Sequence, residues 1–329
     1  MLSVICPIYN EEKYIAGCID SILEQDYPKD DLEILFVDGM STDRTREIVG
    51  EYLAKYPYIR LLDNPERIVP YAMNRGINAC KGDVVIRLDA HATYASNYFS
   101  ELVSSLARLG ADNVGCVCKT DVLNKTPKTL AIREVLSNKF GVGNSTFRTG
   151  IDEEQEVDTV PFGCWRRDVF DKYGQYDVRL VRNQDIELNK RIIRGGGKIY
   201  IVPGTYCTYL ARETYGKLAK NNYGNGKWNI LTVYYTKQLK SLSLRHFIPL
   251  IFVLSLIIPS LLAIFWWPMI LISLLSLVAY IGLLGNVSLK LAISKHLSFG
   301  YLFLTFIVLH LSYGWGSLVG ILKLPFLKK

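Results

Sequence analysis

The chain has 329 residues, 50% of them hydrophobic, and carries 38 Lys and Arg against 31 Asp and Glu, a formal net charge of +7; that length permits a sizeable core in one large domain or two smaller ones. The positive excess is confined to one end, because Glu213 is the last acidic residue and eleven lysines and arginines follow it, leaving the first 213 residues at about −4. A nucleic-acid binder needs a basic face on its folded domain, so that class is disfavoured, while a membrane-attached protein is favoured.

In chain order, the apolar, β-rich run "SVICPIY" precedes a helical pattern over 12–23, "LEILFVD" one over 43–55, and "IRLLD" one over 69–79. "VVIRLD" comes next, then a helical pattern over 96–109 and the strand "NVGCVC". This alternation predicts an α/β fold, an open, mostly parallel sheet with helices on both faces. The seven cysteines are odd in number and scattered, without metal-finger spacing, which reads as core packing in a reducing compartment. "MLSVICPIYNEEK" lacks the basic start and long apolar run of a signal peptide.

In such sheets ligands gather at the carboxyl ends of the strands. The first strand ends at Asn10 and Glu11, the second at Asp38 with Asp43 just beyond, and the fourth at Asp89 and His91. Three acidic strand ends on one edge repel one another unless something bound there offsets the charge, and a divalent cation with a hydroxyl-rich ligand would do so. No Gly-x-Gly-x-x-Gly follows the first strand and no Gly-x-x-x-x-Gly-Lys-Ser/Thr occurs, so neither a dinucleotide site nor a P-loop is supported.

Past the strand pattern, 140–158 ("FGVGNSTFRTGIDEEQEVD") mixes Gly, polar residues and an acidic cluster, and reads as a solvated loop or a lid. Residues 212–246 are basic with interleaved Tyr215, Tyr223, Trp228, Tyr234 and Tyr235, suited to a helix in the headgroup plane of a bilayer with anionic lipid. From Phe247 to Leu289 no side chain is charged, about twice the ~20 residues that cross a bilayer as a helix. Pro268, after Trp266 and Trp267, divides this run into spans near 247–267 and 269–288; a third apolar segment covers 299–322. The spacing Gly316-x-x-x-Gly320 lets another helix approach closely, or marks tolerated breaks in a kinked helix. Lys237, Lys240 and Arg245 precede the first span, and Lys290 and Lys295 follow the second, which puts both places and the first 213 residues in the cytosol. The lysines of "KLPFLKK" conflict with a full third crossing, and a re-entrant third segment would remove the conflict.

"CPIYNEE", "FVDGMSTDRT", "MNRGINACKGDVVIRLDAHA", "PFGCWRRDVF" and "NQDIELNKRI" follow, in order, the motif series of family 2 glycosyltransferases with the GT-A fold, which residues 1–210 therefore resemble. The form "LDAHA" is most similar to the branch of succinoglycan-type exopolysaccharide transferases, in which membrane segments after the catalytic domain are usual. The resemblance implies a cytosolic GT-A domain over 1–211, the basic linker over 212–246 and a membrane domain over 247–329. It implies that Pro7, Tyr9, Glu11 and Asp38 bind the base and ribose of a nucleotide-diphosphate sugar, and that Asp89 stands at the first Asp of the Asp-x-Asp motif that holds Mn²⁺ or Mg²⁺ against the diphosphate. His91 falls on the second Asp, a departure this branch shows. Asp185 matches the catalytic base, with Gln184 where many members have Glu.

Chemistry supports these roles. Displacing a nucleotide diphosphate from an anomeric carbon builds negative charge on phosphate oxygens, which a bound divalent cation neutralises. Asp89 suits Mg²⁺ or Mn²⁺ and an imidazole at His91 favours Mn²⁺; a capping or packing role is the alternative for His91. A sugar hydroxyl is too weak an acid to attack unaided, so a carboxylate must take its proton. Asp185 opens an amphipathic helix; an ordinary acid in the first helical turn is the alternative, and Glu187 should point to a different side. Arg75 and Arg87 are placed to reach the diphosphate, and Arg166, Arg167 and Arg191 the acceptor, with surface solvation the alternative for each. Trp165, a flat ring beside Gly163, suits stacking on an acceptor sugar, or else core packing. Processive relatives carry Gln-x-x-Arg-Trp where "NYGNGKW" has Gly224 at the Gln position, which counts against polymerisation. The expectation is a membrane-attached, metal-dependent, inverting transferase that moves one sugar to a polyprenyl-linked saccharide in surface-polysaccharide assembly. Transfer to polyprenyl phosphate itself, or a membrane-anchored sugar-nucleotide binder without turnover, are the alternatives.

Overall fold

The computed structural model describes residues 1–143, 145–238 and 244–327. The strand–helix alternation begins with β1 (Leu2–Ile8), α1 (Ile15–Leu23), β2 (Leu32–Asp38), α2 (Thr45–Leu53), β3 (Ile59–Asp63), α3 (Val69–Ala79) and β4 (Val84–Arg87). It continues through β5 (Ala92–Tyr94), α4 (Tyr98–Arg108), β6 (Asn113–Asp121), α5 (Pro127–Leu136), α6 (Lys139–Val142), α7 (Thr146–Thr149) and β7 (Gln155–Glu156). After β8 (Cys164–Arg166), α8 (Asp168–Tyr173), α9 (Gln184–Arg194) and β9 (Ile199–Leu210) come four helices: α10 (Tyr215–Thr236), α11 (Ile248–Leu262), α12 (Met269–Lys295) and α13 (Phe299–Lys323).

The chain divides into two compact units, Met1–Lys119 with Thr146–Leu210, and Thr120–Ser145 with Ala211–Lys329. The first is built on a sheet of order β3-β2-β1-β4-β8-β6-β9-β5, with β7 pairing β9. β3, β2, β1 and β4 are parallel to one another. The rest departs from the expected mostly parallel sheet: β8 is antiparallel to both β4 and β6, and β9 to both β5 and β7. The sheet is thus a mixed one, parallel over β3-β2-β1-β4 and antiparallel where β8 and β9 join it.

β1 and β2 are mostly apolar because both sheet faces are covered, and their buried polar exceptions Ser3 and Glu33 bond each other at 2.6 Å. Leu2, Val4, Cys6, Ile34, Phe36 and Ile86 face a core closed by Ile15, Cys18, Ile19 and Ile22 of α1 and Phe99 and Leu102 of α4. Ile5, Leu35, Val37 and Val85 face the other, closed by Ala72, Met73 and Ile77 of α3 and Leu188 and Ile192 of α9. All seven cysteines are buried and free, so they pack. α1 and α2 start two or three residues later than their apolar pattern predicts. Residues 11–14 are held in a turn instead, where Glu11 N donates to Thr45 Oγ1 at 2.7 Å and Tyr14 N to Glu11 O at 2.9 Å.

In the second unit α13 is central, with α5, α10, α11 and α12 packed on it. Among the described residues three helices are long and apolar enough to cross a membrane, Arg245–Leu262, Met269–Lys295 and Phe299–Phe326. The first ends five residues short of the expected 267, and Trp266 and Trp267 fall in the exposed turn before α12. α11 and α12 are joined by hydroxyls, Ser255 to Ser276 at 2.6 Å and Ser260 to Ser273 at 3.0 Å, and by Phe252 stacked on Tyr280. Leu284 and Val287 of α12 cluster with Leu302 and Phe306 of α13.

The helix expected to lie in the headgroup plane is α10, and it runs alongside α13 in the same direction. Tyr215 OH meets Tyr301 O at 3.3 Å, Ser317 Oγ donates to Gly226 O at 3.1 Å, and Asn229 bonds Tyr313. Gly316 and Gly320 make this contact possible: a Cβ would come within 2.8 Å of the Tyr223 carbonyl carbon and 2.9 Å of Lys227 O. The Gly-x-x-x-Gly spacing is therefore a helix-packing seam, and its partner is α10. Lys240, Lys328, Lys329 and part of the linker (239–243) lie outside the described residues.

Candidate active site

The site is built at the carboxyl ends of β1, β2 and β4. Backbone in the left-handed region is costly for residues other than glycine and collects at functional edges. Here Asn10 (φ 55°) follows β1, Met40 (φ 60°) follows β2 and Arg67 (φ 62°) follows β3. Pro7 is half-buried, Tyr9 is exposed, and a Cβ on Gly39 would lie 3.2 Å from Tyr9 Cβ. The first two strand ends thus pack directly on one another.

Asp38 is 0% exposed and fully engaged. Ser41 donates its Oγ to Oδ1 at 2.5 Å and its N–H to Oδ2 at 3.0 Å, and Arg46 Nη1 reaches Oδ2 at 2.6 Å and Asp63 at 2.8 Å. Asp38 therefore shapes the 38–41 turn. Neither Ser41 nor Arg46 stands out in the sequence, where both read as solvated residues. Asp43 accepts from Thr45 N–H at 3.0 Å and Thr45 Oγ1 at 2.6 Å, and from Glu12 N–H at 3.2 Å. Burial raises its carboxyl, but these bonds outweigh that and hold it below the ordinary value.

The end of β4 brings three expected residues together. His91 Nδ1 lies 3.1 Å from Glu11 Oε1 and 3.4 Å from Asp89 Oδ1, and His91 N–H donates to Asp89 Oδ1 at 3.0 Å. The Tyr14 ring sits 4.6 Å from the imidazole, and Tyr94 OH bonds both the N–H and the carbonyl of Asp89, at 2.7 and 3.0 Å. Burial raises the Asp89 carboxyl, yet the adjacent His91 ring and N–H and the Arg87 guanidinium bring it below its usual value. The Asp89 side chain is 33% exposed. An accessible, ionised carboxylate with an imidazole beside it fits a divalent cation whose shell is completed by substrate phosphates and water. Among the described residues no three His, Cys, Asp or Glu side chains form a closed cage.

The second feature joins β4 to α9. Arg87, two residues before Asp89, is 5% exposed, and its Nη1 donates to Asp185 Oδ1. The Asp185 side chain is 26% exposed at the first turn of α9, after Asn183 at φ 62°. A buried guanidinium requires a counter-charge, and Asp185 supplies it and is oriented by it. Gln184 is buried, and so is Glu187, which takes Arg191 Nη2 at 2.6 Å, as its position on the other side of the helix implies. Asp185 is the accessible acid of this turn.

Other expected contacts are not brought to the site. Trp165 is 1% exposed in β8, its ring covered by Phe170 and Tyr176, so it has no face to lend to a sugar and belongs to the core. Arg191 gives four donors to Glu187, Tyr173 O and Gln175 O, which makes it a clamp between α8 and α9. Arg75 forms a forked pair with Glu66, 2.9 Å to each oxygen, on the exposed side of α3. Arg166 bonds Ala111 O and Asp112 at the start of β6.

The family model described as glycosyl transferase family 2 matches residues 3–174. A dolichyl N-acetyl-alpha-D-glucosaminyl phosphate 3-beta-D-2,3-diacetamido-2,3-dideoxy-beta-D-glucuronosyltransferase of Methanococcus voltae is 30% identical, over 69% of this chain and 72% of that protein. The succinoglycan biosynthesis protein ExoA of Rhizobium meliloti (strain 1021) is also 30% identical, over 68% of this chain and 67% of its own. Among solved structures, the mannosyltransferase PcManGT from Pyrobaculum calidifontis, in complex with GDP-Man and Mn²⁺, superposes with a TM-score of 0.56 at 19% identity, covering 95% of this chain and 87% of that one. That likeness is one of fold.

Proposed function

The chain belongs to glycosyl transferase family 2, and on that premise we propose that it transfers one sugar, with inversion, from a nucleotide-diphosphate donor to a polyprenyl-linked saccharide in surface-polysaccharide assembly. A lipid-linked acceptor is favoured by the activity after which the Methanococcus relative is named and by the three apolar helices that could hold the enzyme at a bilayer. Pro7, Tyr9 and Glu11 line the place of the base and ribose, with Asp38 fixing the turn beneath them. Asp89, with His91 beside it, would hold Mn²⁺ or Mg²⁺, which when bound neutralises the charge that grows on the departing diphosphate. Asp185 accepts the proton of the attacking acceptor hydroxyl as that oxygen bonds to the anomeric carbon and the diphosphate oxygen leaves from the opposite face. Arg87 keeps Asp185 aimed, and Glu11 orients His91.

The observation that carries this reading is the link from Asp89 through Arg87 to Asp185, which puts a candidate cation ligand and an accessible carboxylate on one strand end. The test is nucleotide release by detergent-purified protein from a panel of UDP-, GDP- and dTDP-sugars, with Mn²⁺, Mg²⁺ or EDTA. We expect release from one donor, abolished by EDTA and reduced at least about a hundredfold in Asp89→Ala. Release from that donor unchanged by EDTA and by the substitution would contradict the assignment of Asp89.

A further inference from the structure

The second unit contains a cleft of about 570 Å³ between α10, α11 and α13, among whose lining residues are Lys220, Tyr223, Val253, Leu256, Leu311 and Trp315. We propose that this cleft seats the isoprenoid chain of the lipid-linked acceptor and that Lys220 takes the phosphate at its mouth. The inference rests on the reading of the acceptor as lipid-linked.

Volume and lining define the ligand. The cleft is within the range of about 300–1,000 Å³ that holds single small molecules or one aliphatic chain. Its walls are aliphatic and aromatic, and the Ser312 hydroxyl among them already donates to Val308 O at 2.6 Å, so it offers little to a polar guest. Its walls are joined by close contacts: Gly316 and Gly320 admit the backbone of α10 against α13, and Gly314 admits Pro249 and Val253 of α11.

Charge then selects a phosphorylated chain. Lys220 is exposed and forms no ion pair among the described residues, and no Asp or Glu follows Glu213 in the chain. A lone cation beside an apolar cleft, in a segment free of acids, complements a single anionic head on an aliphatic tail.

The experiment uses the full chain in phosphatidylcholine nanodiscs, with undecaprenyl phosphate carrying a diazirine photolabel as probe and peptide mass spectrometry as readout. Labelling is expected in α11 and α13 around Leu256 and Leu311, competed by unlabelled undecaprenyl phosphate and not by phosphatidylglycerol at the same mole fraction. Leu256→Trp and Leu311→Trp, which fill the cleft, and Lys220→Glu, which reverses its charge, should each cut labelling at least about tenfold. Ile272→Trp, on the exposed side of α12, should label like the wild type, with thermal melts showing that every variant is folded. Labelling elsewhere, equal competition by phosphatidylglycerol, or undiminished labelling of the filled variants would overturn the assignment. No sugar is transferred in this assay, so the two readings fail separately. Cleft labelling without transfer to any lipid-linked acceptor would count against the function and sustain the cleft; transfer without cleft labelling would do the reverse.

Discussion

Asp43 and Trp165 mark the two ends of what single residues disclose. Asp43 stands in a turn whose composition, "STDRT", already promises side-chain to backbone bonding, and its carboxylate does accept two backbone N–H groups, with the Thr45 hydroxyl as a third donor. Because those bonds hold its carboxyl below the ordinary value of about 4, its stabilisation is complete above that pH and is lost as pH falls through the lower folded value. Thermal melts of wild type and Asp43→Asn should therefore differ at pH 7 and converge toward pH 3; a gap that stays constant across that range would contradict the assignment. Trp165 was not legible in the same way. Whether a tryptophan beside a glycine stacks on a ligand or fills a core depends on which strand lies next to it. Here β8 inserts between β4 and β6, which hides the ring. Asp89, His91 and Asp185 could be picked out as acids and an imidazole at strand and helix ends, but Arg87 as the partner of Asp185 could not, since 98 residues separate them in the chain.

At the scale of elements, the β1–α3 half of the sheet was readable because each strand is predominantly apolar and β-rich and each following helix has an apolar face. The antiparallel half was not, because β5, β7 and β8 are two or three residues long and carry no periodicity to detect. The Gly316-x-x-x-Gly320 spacing gave a packing surface without naming its partner, and α10 supplies it through polar and small residues, Asn222, Gly226 and Asn229 among those it buries. Forcing the two helices apart should be costly. Gly316→Leu is expected to destabilise by at least about 1–3 kcal/mol, the usual penalty of overpacking, seen as a lower melting temperature in detergent. Gly282→Leu, where a Cβ meets nothing within 4 Å, should melt like the wild type. Equal melting temperatures for both variants would contradict the seam.

For the whole molecule, the division between a slightly acidic first 213 residues and a basic, acid-free remainder is the largest feature of the sequence, and it agrees with a catalytic unit followed by apolar helices. The clustering of residues 120–145 with the apolar helices was not predictable, since α5 looks like one more helix of the α/β series and is marked otherwise only by Ala131 and Val135 packing beside Leu302 and Phe306. The positive-inside rule predicts, from Lys290 and Lys295, that the end of α12 lies on the cytosolic side and the Trp266–Trp267 turn on the other. A cysteine placed at Trp267 should react with an impermeant maleimide in intact cells, and one at His296 only after lysis. The opposite pattern would reverse the orientation.

We propose that Asp185 takes the proton of the acceptor, and the decisive measurement is the rate of sugar transfer by Asp185→Asn at saturating donor. Asparagine keeps a carbonyl for Arg87 while removing the base, so donor binding should stay close to wild type and transfer should slow by about 10²–10⁴-fold. Transfer within about tenfold of wild type would contradict it and return Asp185 to the role of an ordinary acid at the start of a helix.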